Sequence, residues 1–112
     1  PLKPEKKLID PQCQASIVRF TDPLDGQKSR LLFSNPASTS NRENGTVRVS
    51  YDEGKMWNVS KTIEPEKFAY SCLTPIEDGL IGCLYEKGKY RISEITFARF
   101  SLSWLTDGQD SL

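Results

Sequence analysis

The chain has 112 residues, enough for one small domain, of which 37% are hydrophobic and 27% charged. Fifteen basic and fifteen acidic side chains cancel, so no field for gathering nucleic acid or another polyanion is expected. No apolar run reaches the length of a helical membrane span. The absence of histidine excludes Ser-His-Asp and Cys-His catalysis and any histidine metal ligand.

The first dozen residues, through Asp10-Pro11, are charged and proline-punctuated and read as a connector. The start, Pro1-Leu2-Lys3-Pro4, lacks an initiator methionine, and a piece of a longer protein is expected. Short apolar runs follow at even spacing. Strands are predicted at 14–20, around Ile17 and Val18, and at 29–34, around Leu31-Leu32-Phe33, with turn chemistry in Asp22-Pro23-Leu24-Asp25-Gly26 between them. A polar loop is predicted over 35–45, then strands at 46–50 and 58–63. The pattern restarts with strands at 69–75, 80–86 and 93–100, separated by Glu77-Asp78-Gly79 and Lys87-Gly88-Lys89. A short helix is expected from Ser101, and the tail from Thr106 is polar and expected to fray. Cys13, Cys72 and Cys83 sit in or beside apolar runs and read as small buried hydrophobes; their spacing fits no metal site, and no cofactor is expected.

Ser50-Tyr51-Asp52-Glu53-Gly54-Lys55-Met56-Trp57 is the most informative stretch. Asp52 is suited to accept backbone N–H groups within a tight turn, and Gly54 to supply a positive φ. Trp57 then folds back as an apolar plug, and Ser50 fastens the base. The Ser-x-Asp-x-Gly-x-x-Trp spacing resembles the Asp box of sialidases and other β-propellers; it is structural and carries no chemistry. Two halves of about fifty residues, each built of short strands, point to propeller blades. The expected fold is therefore all-β: a β-propeller fragment of about one complete four-stranded blade plus most of a second. Residues 1–12 would be the connector, 13–64 a blade with the box at 50–57, 69–100 a partial final blade and 101–112 a tail. Open sheet edges in such a fragment would favour pairing between copies.

Antiparallel blade strands make the geometry directional. Residues that open a first strand, end a second, or lie in the loop between the second and third share one face. Gln14, Tyr70, Glu86 and Arg42 then converge on a channel mouth, and the 50–57 turn lies on the opposite face. Each also has an ordinary reading: Arg42 as a solvated loop residue, Tyr70 as a surface tyrosine, Glu86 as a partner of Lys87 or Lys89. Arg30 and Arg48 fall inside strands, which favours Arg42 as the loop cation.

Six segments, in order, resemble the C-terminal third of exo-α-sialidases (neuraminidases). They are Pro11-Gln12-Cys13-Gln14-Ala15-Ser16, Leu32-Phe33-Ser34-Asn35-Pro36, Arg42-Glu43-Asn44, the Asp box, Ala69-Tyr70-Ser71-Cys72-Leu73-Thr74 and Gly82-Cys83-Leu84-Tyr85-Glu86. The ending Ile95-Thr96-Phe97-Ala98-Arg99-Phe100 resembles the family as well, so the likeness runs from Pro11 to Leu105. It implies a six-bladed propeller hydrolysing terminal sialic acids with retention, through a tyrosine nucleophile. By that resemblance Tyr70 matches the nucleophile and Arg42 the third arginine of a carboxylate-binding triad. Glu86 matches a glutamate bracing another triad arginine, and Gln14 a sugar-contacting position. A guanidinium fork suits the substrate carboxylate, and a neutral phenol avoids the repulsion a carboxylate nucleophile would meet. The partners implied are a sialylated glycan and the rest of the propeller, which would supply the acid, the base and two arginines. The resemblance further implies a secreted, periplasmic or lysosome-like location. Tyr90-Arg91-Ile92-Ser93 lacks the proline of the motif carrying the first arginine and is not assigned to it. The alternatives are a non-catalytic glycan-binding or scaffold propeller and a trans-sialidase.

Overall fold

The computed structural model describes residues 1–112. Six antiparallel strands run in chain order across one curled sheet: β1 (Ser16–Thr21), β2 (Arg30–Pro36), β3 (Glu43–Ser50), β4 (Val59–Ile76), β5 (Leu80–Gly88) and β6 (Glu94–Ser101). Each junction is a local turn. Asp22 caps a single 3₁₀ turn at Pro23–Asp25 by accepting the Leu24 N–H, and Gly26 leaves it at φ 75°. A short helix α1 (Leu102–Leu105) closes the chain, its first turn capped by the Ser101 hydroxyl.

The all-β expectation holds, with one difference in strand number. The strands expected at 58–63 and 69–75 are one 18-residue strand, β4. Its first part pairs with β3 (Thr46↔Thr62, Val49↔Val59) and its second with β5 (Leu73↔Cys83, Ile76↔Leu80). One strand thus joins the two halves of the single sheet. β2 and β3 also run further than expected and shorten the polar loop to the six residues between Pro36 and Glu43.

The core lies between the two halves of the curled sheet. Leu32, Val47 and Val49 from the first half meet Phe68, Leu73, Ile81, Cys83, Tyr85 and Phe100 from the second, and Leu105 closes one end. Burying each of the larger side chains contributes about 2 kcal/mol. The Phe68 ring lies so close over Gly45 that a Cβ there would stand 2.1 Å from it, which explains a glycine in β3.

The 50–57 turn has the expected internal bonding. Asp52 Oδ1 accepts from the Met56 N–H at 2.8 Å and the Ser50 hydroxyl at 2.9 Å. The Gly54 N–H donates to Ser50 Oγ, and Gly54 itself sits at φ 90°. Trp57 is buried, donates its indole N–H to the Gly54 carbonyl at 3.1 Å and packs on Phe33. These hydrogen bonds hold the Asp52 carboxyl below the usual carboxylate range, the Met56 N–H contributing most.

The tail is not frayed. Arg30, buried in β2, forms a two-pronged ion pair with Asp110, Nε to Oδ2 and Nη2 to Oδ1, both at 2.8 Å. The Tyr51 hydroxyl donates to Asp110 Oδ2 at 2.7 Å. The cysteines are unpaired: Cys83 is buried, Cys13 half-buried and Cys72 exposed. Cys72 therefore departs from the buried reading, because its side of β4 faces away from the core. Burial pushes the Cys83 thiol up to about 12.

Candidate functional site

Strand β4 carries the site, and a bulge aims it. Phe68 and Tyr70 are two residues apart and in a regular strand would share a face. The β4–β5 register steps from Phe68↔Lys87 to Ser71↔Tyr85, so three residues of β4 span two of β5. That extra residue reverses the alternation. Phe68 is fully buried, Tyr70 is 52% exposed, and beyond the bulge Ser71 and Leu73 face the core.

Three of the expected residues gather at the turned-out Tyr70. Glu86, near the end of β5, accepts the Tyr70 backbone N–H on Oε1 at 3.1 Å. Arg42 enters β3, and its carbonyl accepts the Phe68 N–H at 3.1 Å, tying this loop to β4 two residues before Tyr70. Its guanidinium carbon stands 5.7 Å from the centre of the Tyr70 ring, a cation–π distance. Gln14, just before β1, bonds to both backbone groups of Ser71: Nε2 donates to the carbonyl and Oε1 accepts the N–H, each at 3.0 Å. The Gln14 amide is thus engaged in docking β1's entry onto β4. A cavity of about 340 Å³ opens beside these groups, with Gln14, Tyr70 and Glu86 at its polar side and Cys72, Leu84 and Ile95 on its apolar side.

Glu86 pairs with neither lysine of the ordinary reading: the Lys87 ammonium pairs with Glu64 at 2.7 Å, and that of Lys89 lies 5.4 Å from the centre of the Tyr90 ring. Arg30 is committed to Asp110, and Arg48 lies within β3 opposite Phe33 and Ser60. Arg42 is the arginine that reaches Tyr70. The Ser50–Trp57 turn lies at the other end of β3, roughly 25 Å of extended strand away.

Two features of the site were not anticipated from sequence. Glu86 fixes the backbone of Tyr70, which no local spacing encodes. The Gln12 carbonyl accepts from Arg42 Nη2 at 2.9 Å, across 30 positions of sequence. A left-handed Gln12, at φ 65°, accompanies this bond, and side chains rarely announce such a conformation.

A curled antiparallel sheet whose exposed tyrosine and arginine meet at one end, with an Asp/Gly/Trp turn at the other, is the architecture of a β-propeller fragment. No protein-family model matches the chain. It is 44% identical over 108 residues to a sialidase of Micromonospora viridifaciens, covering 94% of this chain and 16% of that protein. It is 32% identical over 123 residues to an exo-alpha-sialidase of Aspergillus fumigatus, covering 96% of this chain and 30% of that protein. Among solved structures it is similar to the Hadza microbial sialidase Hz136, with a TM-score of 0.73 and 36% identity over 87% of this chain and 19% of that one. A leech intramolecular trans-sialidase complexed with 2,7-anhydro-Neu5Ac superposes with a TM-score of 0.70 at 29% identity, over 85% of this chain and 17% of that one. The chain is a sialidase homologue and folds as part of a sialidase propeller, as its motifs indicated. It spans between a sixth and a third of the length of these curated relatives.

Proposed function

We propose that the chain is the C-terminal portion of a retaining exo-α-sialidase, with Tyr70 the nucleophile and Arg42 a clamp for the substrate carboxylate. The supporting observation is that the guanidinium of Arg42, from the loop before β3, and the phenol ring of Tyr70, from β4, meet 5.7 Å apart on one face. Residues 13–64 would form one blade and 69–100 most of the last. In this reading the substrate carboxylate takes the free N–H groups of Arg42 as a charge-assisted fork. The phenol oxygen of Tyr70 attacks the anomeric carbon as the glycosidic bond breaks, and the aglycone leaves as an alcohol, its oxygen taking a proton from an acid on another blade. Water then releases the sugar from the tyrosine with overall retention. A phenol is a weak nucleophile at neutral pH, so a base from another blade removes its proton as it attacks. Glu86 fixes the tyrosine backbone on one carboxylate oxygen and keeps the other for an arginine from another blade. Gln14 borders the sugar cavity while holding Ser71.

In an intact enzyme containing this segment, Tyr70→Phe is expected to abolish retaining hydrolysis of a fluorogenic sialoside, by at least about 10³-fold in kcat. Arg42→Ala is expected to lower kcat/KM by about 10²-fold, and Arg42→Lys is expected not to restore it. Wild-type rates in either variant would remove the corresponding assignment. The 112 residues alone are expected to give no turnover, since the acid, base and two arginines implied by the family match nothing within them. Turnover by this piece would overturn the division of labour. The resemblance to an intramolecular trans-sialidase gives a second outcome for the same tyrosine: release of a 2,7-anhydro sugar instead of the free acid, which product analysis separates.

A further inference from the structure

The stretch that reads from sequence as a connector makes a chain of contacts ending at Arg42. Asn35, fully buried in β2, donates from Nδ2 to the Ile9 carbonyl at 2.8 Å and to Asp10 Oδ1 at 3.1 Å. The other oxygen of Asp10 accepts the Cys13 N–H at 2.9 Å. The backbone is therefore held at 9–10 and again at 13. Between those points it turns with Gln12 at φ 65°, an unfavourable conformation for a residue with a side chain. The turn points the Gln12 carbonyl at Arg42, whose Nη2 donates to it at 2.9 Å.

The choice of partner is chemically informative. A guanidinium has five N–H donors on a long, flexible stem, and ordering that stem before a ligand arrives removes part of the cost of binding. A carboxylate brace would order it equally well but would cancel its charge and compete with an anionic ligand. A backbone carbonyl orders the group and leaves its full charge and most of its donors free.

We propose that Asp10 and Asn35 are positioning residues: acting through the strained Gln12 carbonyl, they hold the Arg42 guanidinium over Tyr70 with its charge unspent, ready for a carboxylate. The positioning stands on this geometry; its use for a carboxylate rests on the sialidase reading above.

The test uses the 112-residue chain and the NMR signals of the Arg42 side chain, which the Tyr70 ring, 5.7 Å away, is expected to displace upfield. Asn35 is fully buried and its replacement perturbs the core, so the exposed Asp10 and Gln12 carry the experiment. Gln12→Gly keeps the carbonyl and relieves the positive φ; it should retain the upfield displacement and raise the melting temperature. Gln12→Pro fixes φ near −65° and moves the carbonyl. Asp10→Ala removes the anchor. Both should lose the larger part of the Arg42 displacement while core methyl shifts stay at wild-type positions. Retention of the displacement in either Gln12→Pro or Asp10→Ala, or its loss in Gln12→Gly, overturns the proposal. These signals report geometry alone, so they are separable from the sialoside kinetics that test the function.

Discussion

Among single residues, Asp110 makes the strongest claim on stability outside the site. The hydrogen bonds from Arg30 bring its carboxyl down to about 2, with Tyr51 adding to the effect against the opposing cost of burial. A carboxylate whose pKa is lower folded than unfolded stabilises the protein above the unfolded value. That contribution fades as pH falls from about 4, the unfolded value, through about 2. Asp110→Asn is therefore expected to cost about 2 kcal/mol at pH 7, from the size of the shift, and progressively less as pH falls from 5 to 2. Urea unfolding of both proteins across that range checks it, and a pH-independent difference would rule the ion pair out as the cause. None of this was visible in sequence, because the partners are 80 positions apart and a polar C-terminal stretch resembles any solvated tail. That Arg42, Tyr70 and Glu86 share one end of the sheet was visible, because the alternating direction of successive strands places them there without knowledge of contacts; that Tyr70 turns away from the core was not, since it depends on the bulge after Phe68. The Gln12 carbonyl was not, since a backbone group has no signature in side-chain pattern.

At the scale of elements, the Ser50–Trp57 turn was the most legible part of the molecule, because each of its bonds is local and each residue type has one suited role. Gly54 at φ 90° is the position most sensitive to a small change. Gly54→Ala is expected to destabilise the protein by about 1–2 kcal/mol through the backbone alone, since the nearest Trp57 atom leaves ordinary room for a methyl group. A shift in urea midpoint without a change in m-value checks this. Strand β4 was the least legible element. Glu64-Pro65-Glu66 reads as punctuation between two strands, yet the chain passes through it with register irregularities opposite Glu43–Thr46. A proline interrupts only one N–H, and a bulge absorbs it. The gap expected between 63 and 69 coincides with irregular register, but the strand continues through it.

For the molecule as a whole, one core serves both halves of the sheet, so they are expected to unfold together. Trp57 reports on the first half and Trp104, packed at a tilt against Phe100, on the second. In Trp104→Phe and in Trp57→Phe, the remaining tryptophan's fluorescence and far-UV circular dichroism should give the same midpoint within each protein. Separate midpoints would show two independent units. The fold class was legible because several motifs occur in family order, whereas the merging of strands four and five into one depended on packing that single-strand patterns do not carry. The extra residue between Phe68 and Ser71 has an evolutionary corollary. Removing Ala69 alone would restore regular alternation, putting the tyrosine, now next to Phe68, on the face opposite that ring, with Ser71 and Leu73 beyond it still facing inward. What the insertion adds is an odd amide: an extra residue in a ladder leaves an N–H without a backbone partner, and the Glu86 carboxylate takes that of Tyr70. A descendant with that single codon lost would keep the wall and the outward phenol and release the carboxylate beside it.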